Sequence, residues 1–209
     1  MDVQKCKLCR KTGKKLFIKG ARCYSPKCAL AKRPFPPGPA PKRMTSITDY
    51  GREFSEKQKM KFWYGLREAQ FKKYVKHVLE NLFTSKIKAN DALIRALECR
   101  LDSMVFRMGF ATSLKQARKL VSHGHILLNG KKVNVASANV KLKDKVSVAE
   151  RSIKKSYFQK LLPEMKKFKA PAWVKVDINT LEGELAAYPT ADEVALPIQI
   201  SSIFEHYSK

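Results

Sequence analysis

Acidic residues are the scarce class in this 209-residue chain, 18 Asp and Glu against 43 Lys and Arg, which leaves a formal charge of +25 at pH 7. Between Cys6 and Cys28 there is no acid at all. A compact body so charged repels itself unless a polyanion is usually present, so a partner of uniform negative charge is expected. Also missing is any apolar run of about 18 residues, which excludes a membrane-spanning helix. No long basic amphipathic helix carries an apolar face for insertion into a lipid surface, which puts nucleic acid ahead of a membrane as the polyanion. The opening MDVQKCKLCRK lacks the apolar core of a secretory leader, so a cytoplasmic, reducing environment is expected. Nor is there a Gly-rich phosphate loop, a Ser/His/Asp or Cys/His set, or a pair of carboxylates with a plausible cleft, so no enzymatic role is expected.

What is present is enough for ordinary cores: 44% of residues are hydrophobic and 10% aromatic. The positive charge is concentrated, with +12 in residues 1–45 and +7 in 99–150. Residues 170–209 hold only Lys175 and Lys209 against six acids, so that part should face away from a polyanion or pack on the protein itself.

Four of the five cysteines fall at Cys6-x2-Cys9-x13-Cys23-x4-Cys28. Each short pair can wrap one edge of a tetrahedral ion, and the long spacer allows the pairs to meet, so one structural Zn²⁺ is the leading reading. Surrounding lysines favour thiolates, and the −2 charge of a four-thiolate zinc centre would be offset there. Four structural thiols or two disulfides are the alternatives, the latter disfavoured by a reducing compartment. With so few apolar residues, the first 45 residues would need such a staple to hold a cationic surface in shape. RPFPPGPAPKR, from Arg33 to Arg43, reads as an extended, semi-rigid tether with basic ends, or as a solvated linker.

From Ser55, read as a helix cap, the sequence turns periodic. Gly65 reads as a stop, and the next helix sets Phe71, Tyr74, Val75, Val78, Leu79 and Leu82 on one face. A single helix, capped by Asn90 and ended by Gly109, is expected to bury Leu93, Ile94, Leu97, Leu101, Val105 and Met108, with Cys99 a small buried hydrophobe. Ser113 and Gln116 form a capping-box signature for a short helix with Leu114, Ala117, Leu120 and Val121 on one side. Lys115 and Lys119 lie on the other side, with Arg118 near the edge. Gly124 ends that helix, and Asn129-Gly130 signals a type I′ hairpin between Ile126–Leu128 and Lys132–Val135. Val146 and Val148 suit a further strand. His123 and His125 flank Gly124; RNA contact and helix-end stabilisation are the competing roles, well ahead of chemistry.

RLDSMVFRMGFATSLKQARKLVSHGHILLNGKKVNV resembles the small RNA-binding module named after the S-four ribosomal proteins. The four-cysteine knuckle, KGARCYSPKCAL, RPFPPG, EKQKMKFWYGLREAQF and the closing IFEHYS are similar, in the same order, to the bacterial-type S-four family over nearly the whole chain. The full cysteine set resembles its zinc-retaining branch; after RPFPPG the chain runs PAPKRM where the family usually has a Gln-His-Gly basic tract.

The resemblance implies an α+β fold: a helical domain with an N-terminal zinc knuckle, plus an inserted module of helices packed on a small, mainly antiparallel sheet. The expected divisions are 1–45, then 46–98 joined by the tail 190–209, then 99–189. Implied too are direct binding to the 5′ domain of small-subunit ribosomal RNA at a helical junction, nucleation of subunit assembly, and a place in the cytoplasmic ribosome. The neighbours would be other ribosomal proteins where messenger RNA enters, with an effect on decoding accuracy, and such proteins can also bind their own messages. Expected RNA contacts are Lys115, Arg118, Lys119, His123, His125, Lys131 and Lys132 from the module, with Arg22, Lys27, Arg33, Lys42 and Arg43 from the N-terminal arm. For each lysine, a merely solvated role competes. Two rivals remain: an RNA-modifying enzyme using the same module, for which residues 151–209 are too few to make a catalytic domain, and an RNA-binding regulator outside the ribosome.

Overall fold

The computed structural model describes residues 5–39, 46–81, 87–165 and 168–208. The chain divides into two compact units, residues 1–90 with 195–209 and residues 91–194.

In the first unit, helix α1 (Lys5–Thr12) and the short α2 (Ala29–Lys32) are linked through a 3₁₀ turn at Gly20–Cys23. Helix α3 runs Asp49–Trp63, and its cap is Thr48 rather than Ser55: the Thr48 hydroxyl accepts the Gly51 N–H at 3.2 Å. The first turns of α3 hide their helical period because Tyr50 and Phe54 are exposed rather than buried. Gly65, at φ +60, ends this run as expected. Helix α4 (Glu68–Asn81) buries Phe71, Val75 and Val78; Leu82 lies outside the described residues.

The acidic tail returns to this unit. The C-terminal helix Ser201–Ser208 packs along α3, the Gln199 N–H donates to Glu56 Oε2 at 3.1 Å, and the Tyr207 hydroxyl donates to Glu68 Oε1 at 2.9 Å. Ile203 takes the fully buried position of that helix, leaving Phe204 half-buried.

In the second unit the expected long helix is two, α5 (Ala89–Glu98) and α6 (Leu101–Arg107). The helix breaks because the backbone at the junction bonds elsewhere: the Val140 N–H donates to the Cys99 carbonyl and the Leu101 N–H to the Ala138 carbonyl, each at 2.8 Å. Arg100 also forms a bridge with Asn139. Leu93, Ile94, Leu97, Leu101, Val105 and Met108 are nonetheless all fully buried, and Cys99 is buried too. Helix α7 (Leu114–Ser122) is capped by Ser113, whose hydroxyl accepts the Gln116 N–H at 3.3 Å. Gln116 Oε1 accepts from the Thr112 hydroxyl at 2.6 Å in place of the reciprocal half of the capping box.

The elements that follow are β1 (Ile126–Leu128), β2 (Lys131–Lys132), β3 (Lys145–Val148), α8 (Glu150–Ile153), α9 (Ser156–Met165), β4 (Val174–Asp177), β5 (Glu182–Leu185) and α10 (Ala191–Val194). Among the described residues, these strands form one antiparallel sheet in the order β2-β1-β3-β5-β4. Leu127 pairs with Lys132, Ile126 with Val148, and Val146 with Gly183. Gly183 lets β5 approach α6 and the turn after it, since a β-carbon there would lie 2.9 Å from the Met108 sulfur. Trp173 is buried beside β4.

Candidate nucleic-acid interface

Helix α7 is amphipathic in the way its sequence requires: Ala117, Leu120 and Val121 are buried, while Lys115 and Lys119, one helical turn apart, are exposed. The hairpin beside it is stiff. Asn129 (φ +51) and Gly130 (φ +76) both take the left-handed backbone that a type I′ turn demands. The Asn129 side chain accepts the Lys145 N–H and donates to Asp144 Oδ1, each at 2.9 Å, and Asp144 Oδ2 accepts the Lys141 N–H at 2.7 Å. The tip that carries Lys131 and Lys132, both exposed, is therefore tied to the start of β3.

Lys132 folds back over the end of α7. Gly124 sits at φ +67, and a β-carbon there would meet the stem of Lys132, with Nζ 2.9 Å away. His123 and His125 lie on either side in sequence, their rings 6.2 Å apart and nearly parallel. His123 is exposed; His125 is half-buried, its Nδ1 2.9 Å from the Ser152 hydroxyl and its ring edge-on to Phe158. Burial first, then the charges of Lys155, His123 and Lys132, push the His125 pKa below its usual value. Lys155 was not legible as part of this cluster, because nothing local marks a lysine on the far side of α8 as a neighbour of His125.

Arg118 has a different place. Its guanidinium donates to Asp102 on α6, so it is engaged within the protein even though about a third of the side chain remains exposed. Phosphate contact is expected of it from sequence, and in this structure its Nε and Nη2 donate to a carboxylate.

In the first unit, Cys6, Cys9, Cys23 and Cys28 line one cavity of about 20 Å³, together with Lys5, Lys19, Arg22 and Leu30 among others. That is room for little more than one water-sized sphere. None of the five cysteines is joined in a disulfide. Among the described residues, no three or more His, Cys, Asp or Glu side chains are drawn together as a metal-ligating group. The Ala31 N–H, against a smaller effect of burial and helped by the Leu30 N–H and by Lys15 and Arg22, lowers the Cys28 pKa. Burial raises that of Cys9, against hydrogen bonding from Leu16 and with Cys23, Cys6 and Cys28 adding to the rise. Four cysteines lining one small space are the residue types a tetrahedral soft ion takes, and backbone donors favour the thiolate at Cys28, although the four are not drawn into a ligating group here.

Arg22, Lys27 and Arg33 are exposed; Lys42 and Arg43 lie outside the described residues. Arg10 was not singled out from sequence. Its Nε donates to the Phe35 carbonyl at 2.9 Å and its Nη2 to the Pro36 carbonyl at 3.2 Å, and its guanidinium lies 5.1 Å from the Phe35 ring centre. It thereby fixes the start of the proline tract against α1.

The chain matches the family described as ribosomal protein S4/S9 N-terminal domain over residues 2–98 and the S4 domain over residues 99–146. It is 43% identical over 204 residues to the small ribosomal subunit protein uS4 of Kosmotoga olearia. It is 42% identical to the proteins of that name from Thermotoga maritima, over 208 residues, and Caldicellulosiruptor bescii, over 206. Each alignment covers 98% of this chain and 96% of the relative.

Proposed function

The chain belongs to the uS4 family of small ribosomal subunit proteins, and from that membership we propose how its two cationic surfaces act. It is a structural, non-enzymatic, ribosomal-RNA-binding component of the small subunit. Among the described residues no helix is long and apolar enough to cross a membrane.

The observation that carries the mechanism is the exposed set Lys115, Lys119, Lys131 and Lys132, mounted on a capped helix and a tied hairpin. Ammonium groups on fixed backbone suit the phosphates of a folded RNA, whose deep, narrow A-form major groove hides base edges from side chains. The protein therefore grips shape rather than reading sequence. The RNA is the 5′ domain of the small-subunit ribosomal RNA at a helical junction, where early binding nucleates assembly of the subunit body. The same body contacts neighbouring ribosomal proteins near the point where messenger RNA enters, and so influences decoding accuracy. Arg22, Lys27 and Arg33 supply a second cationic surface on the N-terminal arm.

Cys6, Cys9, Cys23 and Cys28 would hold one zinc, which would supply a cross-link in a segment poor in apolar residues. Their shared cavity and the N–H donors at Cys28 support this reading.

Co-sedimentation of the purified chain with small ribosomal subunits at moderate salt tests the function. Stoichiometric recovery in the subunit peak is expected; a chain left at the top of the gradient would overturn it.

A further inference from the structure

Tyr24 stands on the turn between Cys23 and Cys28 and is 73% exposed, the most exposed of the chain's large hydrophobic side chains among the described residues. It does not dangle. Its ring stacks on Phe17 with centres 4.8 Å apart and planes 29° from parallel. Phe17 in turn meets Trp63 of α3 edge-on at 6.0 Å. The turn beneath is pinned: the Tyr24 N–H donates to the Ala21 carbonyl at 3.2 Å, the Ser25 hydroxyl to the Arg22 carbonyl at 3.0 Å, and the Lys27 N–H to Ser25 Oγ at 3.3 Å. Phe17 holds this position at φ +48, a left-handed backbone that side chains disfavour and that persists only where its surroundings impose it.

Core packing does not account for this column of rings, because its outermost member buries little surface. A preorganised aromatic face in water is a place for another planar group to stack. Its surroundings select which one. Arg22 and Lys27 are exposed on either side of Tyr24 in sequence, and residues 1–45 carry a charge of +12. A nucleobase whose phosphates those cations can take up matches both features, and an unpaired base offers a free ring face where a paired one does not.

We propose that Tyr24 is a stacking platform for an unpaired nucleobase of the small-subunit ribosomal RNA, with Arg22 and Lys27 on the flanking phosphates. The proposal rests on the RNA-binding function above and adds the kind of nucleotide that the N-terminal surface takes. The ring supplies shape recognition without sequence, since every base has a π-face.

The test uses the full-length chain and a transcript of the 5′ domain of the small-subunit ribosomal RNA. Tyr24→Ala and Tyr24→Leu should each weaken binding by roughly 5- to 150-fold, with the salt dependence unchanged, while Tyr24→Phe should bind like the wild type. Leucine keeps the apolar bulk but not the plane, so equal binding by Tyr24→Leu and the wild type would overturn the proposal. Ultraviolet cross-linking of the wild-type complex should join Tyr24 to a nucleotide outside the paired helices; cross-links confined to neighbouring lysines would overturn it independently of how the variants fold. Loss of binding to other small-subunit proteins with RNA affinity intact would also overturn it, by assigning the ring to a protein partner. If the wild-type chain itself fails to bind the transcript, the RNA-binding function fails first and takes the proposal with it.

Discussion

Arg118 donates to Asp102 Oδ2 twice, from Nη2 at 2.7 Å and from Nε at 3.0 Å. Asp102 is 1% exposed and also accepts from Arg100, at 3.0 and 2.9 Å, and from the Ser103 N–H at 3.0 Å. A buried carboxylate clasped by arginines from both sides ties α7 to the start of α6, so the orientation of the cationic helix depends on it. Asp102→Ala, which leaves buried positive charge uncompensated, should destabilise the chain by about 3–5 kcal/mol. Arg118→Ala should cost about 1.5–3 kcal/mol, since Arg100 remains to pair the carboxylate. Denaturant titration measures both. Neither change should flatten the salt dependence of RNA binding in a folded protein, which separates a structural arginine from a phosphate contact.

The C-terminal helix should loosen in acid. Burial works against the Glu68 carboxylate, but hydrogen bonds from Lys61, Lys57 and Tyr207 overcome it and hold its pKa at about 2. The folded value lies below the usual one, so Glu68 contributes stability above the unfolded carboxylate range, and that contribution is lost as pH falls from about 5 toward 2. A Glu68→Gln variant should be less stable at neutral pH and should show a smaller acid-dependent loss over that window, read from thermal melts across pH. Identical pH profiles would contradict the assignment.

The end of α7 makes a double-mutant test. Gly124→Ala should destabilise by about 1–2 kcal/mol through its left-handed backbone, while the added methyl meets only the far end of the exposed Lys132 side chain, which can swing aside. Adding Lys132→Ala should therefore recover little of the loss. Thermodynamic cycles on the two single variants and the double variant measure the coupling.

The cysteine cluster predicts one zinc per chain by elemental analysis. Cys9→Ser or Cys23→Ser should lower the stoichiometry, and chelation should lower the thermal midpoint of the wild type far more than that of either variant. Absence of metal in protein with four reactive thiols at these positions would remove the zinc reading.

Much of the RNA-binding module was legible because its signals are local. Ser113 caps the helix it announces, Asn129-Gly130 makes the turn its residue types allow, and the apolar positions of α5 and α6 are buried as their spacing requires. What escaped the sequence depends on distant partners. The break at Cys99 and Leu101 is imposed by residues 138–140, whose carbonyl and N–H groups compete with the helical ladder. Arg118 falls near the edge of the cationic face on a helical wheel, and nothing local shows that Asp102 arrives from α6 to take its guanidinium. Thr48 was missed for the opposite reason: the turns after it present aromatic side chains to water, so the pattern that marks a helix start appeared later than the helix.

The most direct test of the account is the slope of log affinity against log salt for the full-length chain and the 5′-domain transcript. With Lys115, Lys119, Lys131 and Lys132 changed together to Ala, the slope should become shallower by about 4, roughly one for each lost phosphate contact, and affinity at moderate salt should fall with it. An unchanged slope and affinity in a folded variant would show that this helix and hairpin do not hold the RNA.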